Sequence, residues 1–348
     1  YADMNGVMME REGGAALANV RIKDGRRVNV PQSYLYPVLK QGNVTLLTGT
    51  EATTLIMEGT TCKGVNFVHD GQMKSARATR VILAAGAINT PKMLMLSGIG
   101  PGEHLREFGI EVRSDLPGVG SNLDDHVEGL VFWDAAKPMV TESTQWWEIG
   151  LFARTGASLD RPDLMMHYGS VPFDMNTLRW GYPTTDNGFC LTPNVTRGRS
   201  RGTVRLRTRD FRDRARVDPR YFTDPEGHDM RVMTAGIRLA RRIAEQPELK
   251  EWIAAELAPG PDAVTDDELA DYIGKTHNTV YHPACTARMG ADGDPGAVLD
   301  PQLRVRGVQG LRVADASAMP FLPAINPNIT TMMIGEKCSD LVRAAHAG

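Results

Sequence analysis

Val81-Ile82-Leu83-Ala84-Ala85 is an unbroken apolar run of strand length, closed by Gly86-Ala87, and Pro91 stands where a helix carrying Met93, Leu94 and Leu96 would begin. A run without polar alternation is what a parallel strand buried on both faces requires, and proline is tolerated in a helix's first turn. The same texture returns late in the chain, with a short apolar strand at 311–314 and a helix expected from Pro327 to about Ala345. Between about 128 and 279 it changes. Tryptophans cluster (Trp133, Trp146, Trp147, Trp180), and segments such as 203–208 alternate apolar residues with arginine, which suits an antiparallel sheet with one wet face. The pattern reads as α/β: a doubly wound domain (17–127, returning at 280–348) interrupted by an α+β domain built on an antiparallel sheet (128–279, with 1–16).

Smaller signals fill in this outline. Residues 43–48 are β-branched and closed by Gly49, as a strand should be, and Asp70-Gly71 marks a hairpin. A long helix is expected from Pro225, after Asp224, with Met230, Met233, Ile237, Leu239 and Ile243 at helical spacing. Thr265-Asp266-Asp267-Glu268 is a capping box.

The 348 residues suffice for roughly two domains. Lys+Arg 39 against Asp+Glu 42 leaves a net charge of −3, which excludes the basic footprint of a non-specific nucleic-acid binder and an acidic disordered tail. Four cysteines without a CxxC indicate neither a disulfide framework nor a zinc knuckle. No apolar run approaches the roughly 18 residues of a membrane span. The expectation is a protein of the cytoplasm, without metal. Tyr1-Ala2-Asp3-Met4-Asn5-Gly6 has neither an initiator methionine nor a signal peptide, so the chain reads as one that opens within a longer protein.

Several residues invite a chemical reading, each beside a plainer one. Asn326-Pro327 is a helix opening; Asn326 is either a cap alone or part of a positive helix end facing an anion. His282, pinned by Pro283, is either a catalytic group on a loop or a structural imidazole, and His167 poses the same choice. Asp315 follows a strand's carboxyl end, where cofactor contacts concentrate, and reads equally as a turn residue. The Trp146-Trp147 pair is either an aromatic cage for a cation or ordinary core.

The combination decides more than any part. Gly86-Ala87-Ile88-Asn89-Thr90-Pro91-Lys92-Met93-Leu94-Met95-Leu96-Ser97-Gly98-Ile99-Gly100 resembles, without a mismatch, the second signature of the glucose–methanol–choline oxidoreductase family. Tyr281-His282-Pro283, Arg288-Met289-Gly290, the 310–317 stretch and Asn326-Pro327-Asn328 follow in the order of that family's carboxyl-terminal block. The resemblance implies a flavoprotein with FAD, in which an alcohol gives a hydride to the flavin.

It further implies a role for each matching residue. His282 activates the substrate hydroxyl, Asn326 is its partner at the reacting carbon, and His167 is a second active-site histidine. Glu128 faces a trimethylammonium group, Trp147 and Phe173 wall the cavity, and Val280 lies near the flavin. Ala85, Gly86, Asn89, Asp315, Ala316, Asn326 and Pro327 contact FAD, and Ala52 lies along its adenine. The implied partners are choline, oxidised through its aldehyde to glycine betaine, and O2, reduced to H2O2, in a homodimer. A quinone-linked dehydrogenase, an oxidase of neutral or aryl alcohols, and a non-catalytic fragment stay open beside this reading.

Two departures qualify the resemblance. Cys285 stands where the family usually has glycine. No GxGxxG occurs in the sequence, although a dinucleotide fold needs that turn beside the pyrophosphate. An amino-terminal FAD-binding portion or chain is therefore an expected partner.

Overall fold

The computed structural model describes residues 13–18, 20–139 and 146–347. Its main feature is an antiparallel sheet of eight strands, ordered Gly14–Leu17, Ile149–Ala153, Leu164–Gly169, Gly188–Val195, Val127–Glu128 and Asn278–Thr279. Val131–Ala135 pairs beside Val127–Glu128 on the same central strand, and Ile253–Ala258 continues outward from it. Every residue of Gly188–Val195 is buried, because helix His228–Ala244 covers one of its faces and polar side chains fill the other. That helix lies close: a Cβ at Gly236 would come within 2.6 Å of Pro193 on the strand below. The helix begins three residues later than its proline suggests, because Asp224 takes the amides of His228 and Asp229 while Pro225 stays in the turn.

A second core gathers residues from 55–119 and 284–342. Val81–Leu83 pairs in parallel with Leu311–Val313, and helix Gly86–Leu96 and helix Asn328–Ala347 pack around them through Met93, Leu94, Ile334 and Cys338. Pro91 lies inside the first helix rather than at its start, because Gly86, at φ +82°, already turns the chain from strand into helix. Among the described residues the parallel strand pairs are this one and Ile99–Gly100 with Ser114–Asp115, joined by isolated parallel bridges at Thr61–Gln309 and Met289–Leu299.

The expected strand at 43–48 is not formed. These residues are exposed, Val44, Leu46 and Leu47 included, and no described strand lies beside them to satisfy their amides. The Asp70-Gly71 hairpin forms between Thr61–His69 and Gln72–Arg77, both turn residues at positive φ. The capping box is complete, with Thr265 and Glu268 bonding each other's amides. Among the described residues, no helix is long and apolar enough to cross a membrane, and no His, Cys, Asp and Glu residues cluster to hold a metal.

Candidate active site

Alternate residues of a strand point to opposite faces, so the sheet sorts its side chains. In Leu164–Gly169 and Gly188–Val195, Leu164, Met166, Leu191 and Val195 turn to the helix-covered face. The other face is polar. His167 stands opposite Thr192, and Asn194 opposite Glu128, within a register that places all four together. The ring of Trp147 meets His167 edge-on at 6.3 Å and Phe173 at 5.2 Å. Gly169 admits that indole, since a Cβ there would stand 2.7 Å from Trp147 Cζ3. Trp146 does not join it: this ring is 57% exposed, so the two tryptophans form no common cage.

The Asn326 side chain lies near enough to His167 to favour its protonated form, and Asn194 Nδ2 lies 3.4 Å from His167 Nδ1. The carboxyl-terminal helix starts at Asn328, with the Thr331 amide donating to the Pro327 carbonyl at 2.8 Å. Asn326 thus precedes the capping position, with its side chain beside the imidazole. His282 approaches from the loop after Asn278–Thr279. Its Nδ1 is 3.0 Å from Nδ1 of His126, so one of the two nitrogens carries the shared hydrogen. Val280 is half-buried two residues earlier, its amide on the His126 carbonyl.

Burial makes the protonated imidazole costly at all three histidines. It pushes His126 down to about 3, helped by neighbouring His282, and His167 to about 4. His282 falls to about 4 from its own burial, then from nearby His167. At neutral pH all three are uncharged, and His282 can accept a proton. Glu128 shows the reverse effect of the same cause: burial raises it to about 7, and the Asn278 amide at 3.3 Å offsets only part of this. The Thr192 hydroxyl is near enough to favour the carboxylate but forms no well-shaped hydrogen bond. Buried polar atoms without partners concentrate here: His126 Nε2, Thr192 Oγ1, Asn194 Oδ1 and Thr196 Oγ1. Such groups are rare in folded proteins and point to something that completes them.

The other candidate residues border the second core. The Asp315 carboxylate accepts from the Gly86 amide at 3.0 Å, Thr90 Oγ1 at 2.6 Å, the Ser317 amide at 2.8 Å and Ser317 Oγ at 2.5 Å. It ties the turn after one parallel strand to the turn after the other, the plainer of its two readings. Ala316 continues that turn and accepts the Cys285 amide, with Cys285 itself at φ +70°, a left-handed position that favours glycine. Ala85 and Asn89 are exposed beside Gly86, Pro327 is buried, and Ala52 is exposed on Thr50–Glu58.

The sequence reading missed His126, Asn194, Thr192 and Asn278. Their signal was present: His126 and Glu128 alternate in 124–128, and Cys190, Thr192 and Asn194 alternate through an otherwise apolar strand. An inward polar stripe on a core strand is the mark of a site.

Two family models, both described as GMC oxidoreductase, match residues 4–128 and 198–335. The chain belongs to the GMC oxidoreductase family. It is 64% identical to choline oxidase of Arthrobacter globiformis, over 94% of this chain and 61% of that protein. It is 34% identical to mitochondrial choline dehydrogenase of Homo sapiens, over 99% of this chain and 61% of that protein. Among solved structures, pyridoxine 4-oxidase from Mesorbium loti superposes with a TM-score of 0.88 at 30% identity, covering 97% of this chain and 65% of that one. A formate oxidase superposes at 0.84 and 26% identity, covering 94% and 64%. The chain spans about three fifths of the length of the curated relatives it matches.

Proposed function

We propose that this chain carries the substrate site of an FAD-dependent alcohol oxidase acting on choline. The observation that carries the reading is the buried Glu128 on the same sheet face as His167, with Trp147 and Phe173 walling that face and His282 entering from its loop. A buried carboxylate beside aromatic rings suits a quaternary ammonium, which supplies charge without a hydrogen-bond donor. The 64% identity to a choline oxidase supports the same substrate.

His282 is the base in this reading. In the tautomer in which His282 Nδ1 donates to His126 Nδ1, His282 Nε2 is left free to take the alcohol's proton. Asn326 and His167, side by side, hold the oxygen and the carbon to be oxidised. The aldehyde, once hydrated, offers His282 a second hydroxyl, so one base serves both oxidations to glycine betaine.

The residues present fit part of FAD. Ala84, Ala85 and Asn89 leave open ground beside the 84–89 turn, and no atom lies within 4 Å of a Cβ built on Gly86. The first amides of the 20-residue helix Asn328–Ala347 suit an anionic ring. These, with Ala316 and Ala52, would hold the adenine and isoalloxazine sides of the cofactor, and Asp315 would brace the two turns beneath it. Bound FAD supplies the hydride acceptor and the route to O2.

Replacing His282 with alanine should lower kcat/KM by about 10²–10⁴-fold, the worth of a positioned base, with flavin content unchanged. A loss under about tenfold moves the base to His167. A neutral alcohol is the second reading, favoured by a Glu128 that is half protonated near neutrality. Peroxide yield against dye reduction separates oxidase from dehydrogenase.

A further inference from the structure

Residues 124–128 and 278–284 run antiparallel, and their ladder is interrupted. Val127 pairs with Thr279 and Glu128 with Asn278, and Asp124 exchanges both amide bonds with Ala284. Between these points the Val280 amide reaches the His126 carbonyl, leaving 281–283 to bulge opposite Asp125. Tyr281 takes a left-handed conformation there, φ +63°, which is strained for a residue with a side chain. Something must hold the bulge, because it aims His282.

The Asp125 side chain fills this gap. Its Oδ1 accepts the His282 amide at 2.9 Å, and its Oδ2 accepts Thr279 Oγ1 at 2.6 Å and the Tyr221 hydroxyl at 2.5 Å. Thr279 Oγ1 in turn accepts the Tyr281 amide at 2.8 Å. One carboxylate therefore closes both ends of the bulge and ties it to Tyr221. Bulges beside active sites commonly re-aim a side chain.

We propose that Asp125 is the positioning residue for His282: it touches no substrate, and it fixes the backbone from which the base reaches the hydroxyl. The proposal rests on His282 being the base. A displacement of about 1 Å at such a group costs on the order of 10²-fold in rate. Asp125→Ala, in the flavin-loaded protein, should lower kcat/KM by about 10²-fold and leave flavin content unchanged. Amide hydrogen exchange across 278–284 should quicken at least tenfold, and exchange across 164–169 should not. Asp125→Asn keeps an acceptor for the His282 amide and should restore activity to within about tenfold of wild type. A purely electrostatic role would leave the Asn and Ala variants equally impaired. Should Asp125→Ala fail to fold, the isosteric Thr279→Val cuts the Tyr281 and Asp125 bonds at one atom and should quicken the same exchange. Unchanged exchange at 278–284, or no rescue by asparagine, overturns the clamp. A wild-type protein that oxidises no alcohol overturns the functional reading instead, and the exchange comparison still decides the clamp.

Discussion

Two buried carboxylates, one in each core, meet opposite fates. Asp315, between the parallel strands, collects four donors from Gly86, Thr90 and Ser317, and its environment is closed. Glu128, on the polar face of the antiparallel sheet, has the Asn278 amide at 3.3 Å and a poorly shaped approach from Thr192, with unpartnered atoms around it. Burial is similar, at 4% and 5% exposure, so desolvation alone does not separate them. The donors do. A carboxylate satisfied by its own chain is a structural tie, and one left short of donors is a place for a ligand.

The comparison breaks first at Asp315. Asp315→Ala strands the Gly86 amide and the Ser317 amide and hydroxyl, so it should cost at least about 3 kcal/mol in urea unfolding. A loss below about 1 kcal/mol, less than one such bond, would mean that the tie is not structural.

Glu128 sharpens the contrast through pH. Its folded-state value, about 7, lies above the ordinary 4.5, so folding favours the protonated acid. That contribution is complete below about 4.5 and is lost as pH rises through 7. Glu128→Gln stays neutral throughout. Without substrate it should match wild type near pH 4 and be more stable by about 3 kcal/mol at pH 8, the value of a shift of this size. Choline added at pH 8 should narrow that gap by stabilising the charged wild type more than the variant. A gap that does not change with pH would place Glu128 among satisfied carboxylates.

Much of this was legible in the residues. The 81–100 stretch, the Asp70-Gly71 turn and the Thr265 capping box are local, and local signals need no partner. Residues 43–48 have the composition of a strand, but a strand exists only with a neighbour to bond, and the described chain offers none. Pro91 and Pro225 misplaced two helix starts, because a left-handed glycine and an aspartate cap set them instead. At the site, His282, His167 and Asn326 came from resemblance. The roles of His126 and Asp125 could not be read in this way, since they depend on two segments more than 150 residues apart meeting out of register.

The central claim is that Glu128 receives a cation, and substrate charge tests it most directly. Choline and 3,3-dimethylbutan-1-ol share a shape and differ in charge. At pH 8, with Glu128 ionised, kcat/KM should be measured for both in the flavin-loaded wild type and in Glu128→Gln. The account predicts a loss for choline equivalent to roughly 1–3 kcal/mol, about 5- to 150-fold, the worth of a hydrogen-bond-scale contact to a charge. The neutral alcohol should be nearly unaffected. Equal losses for the two alcohols, or a wild type that prefers the neutral one, would contradict the cation site and leave the fold and the histidine chemistry standing.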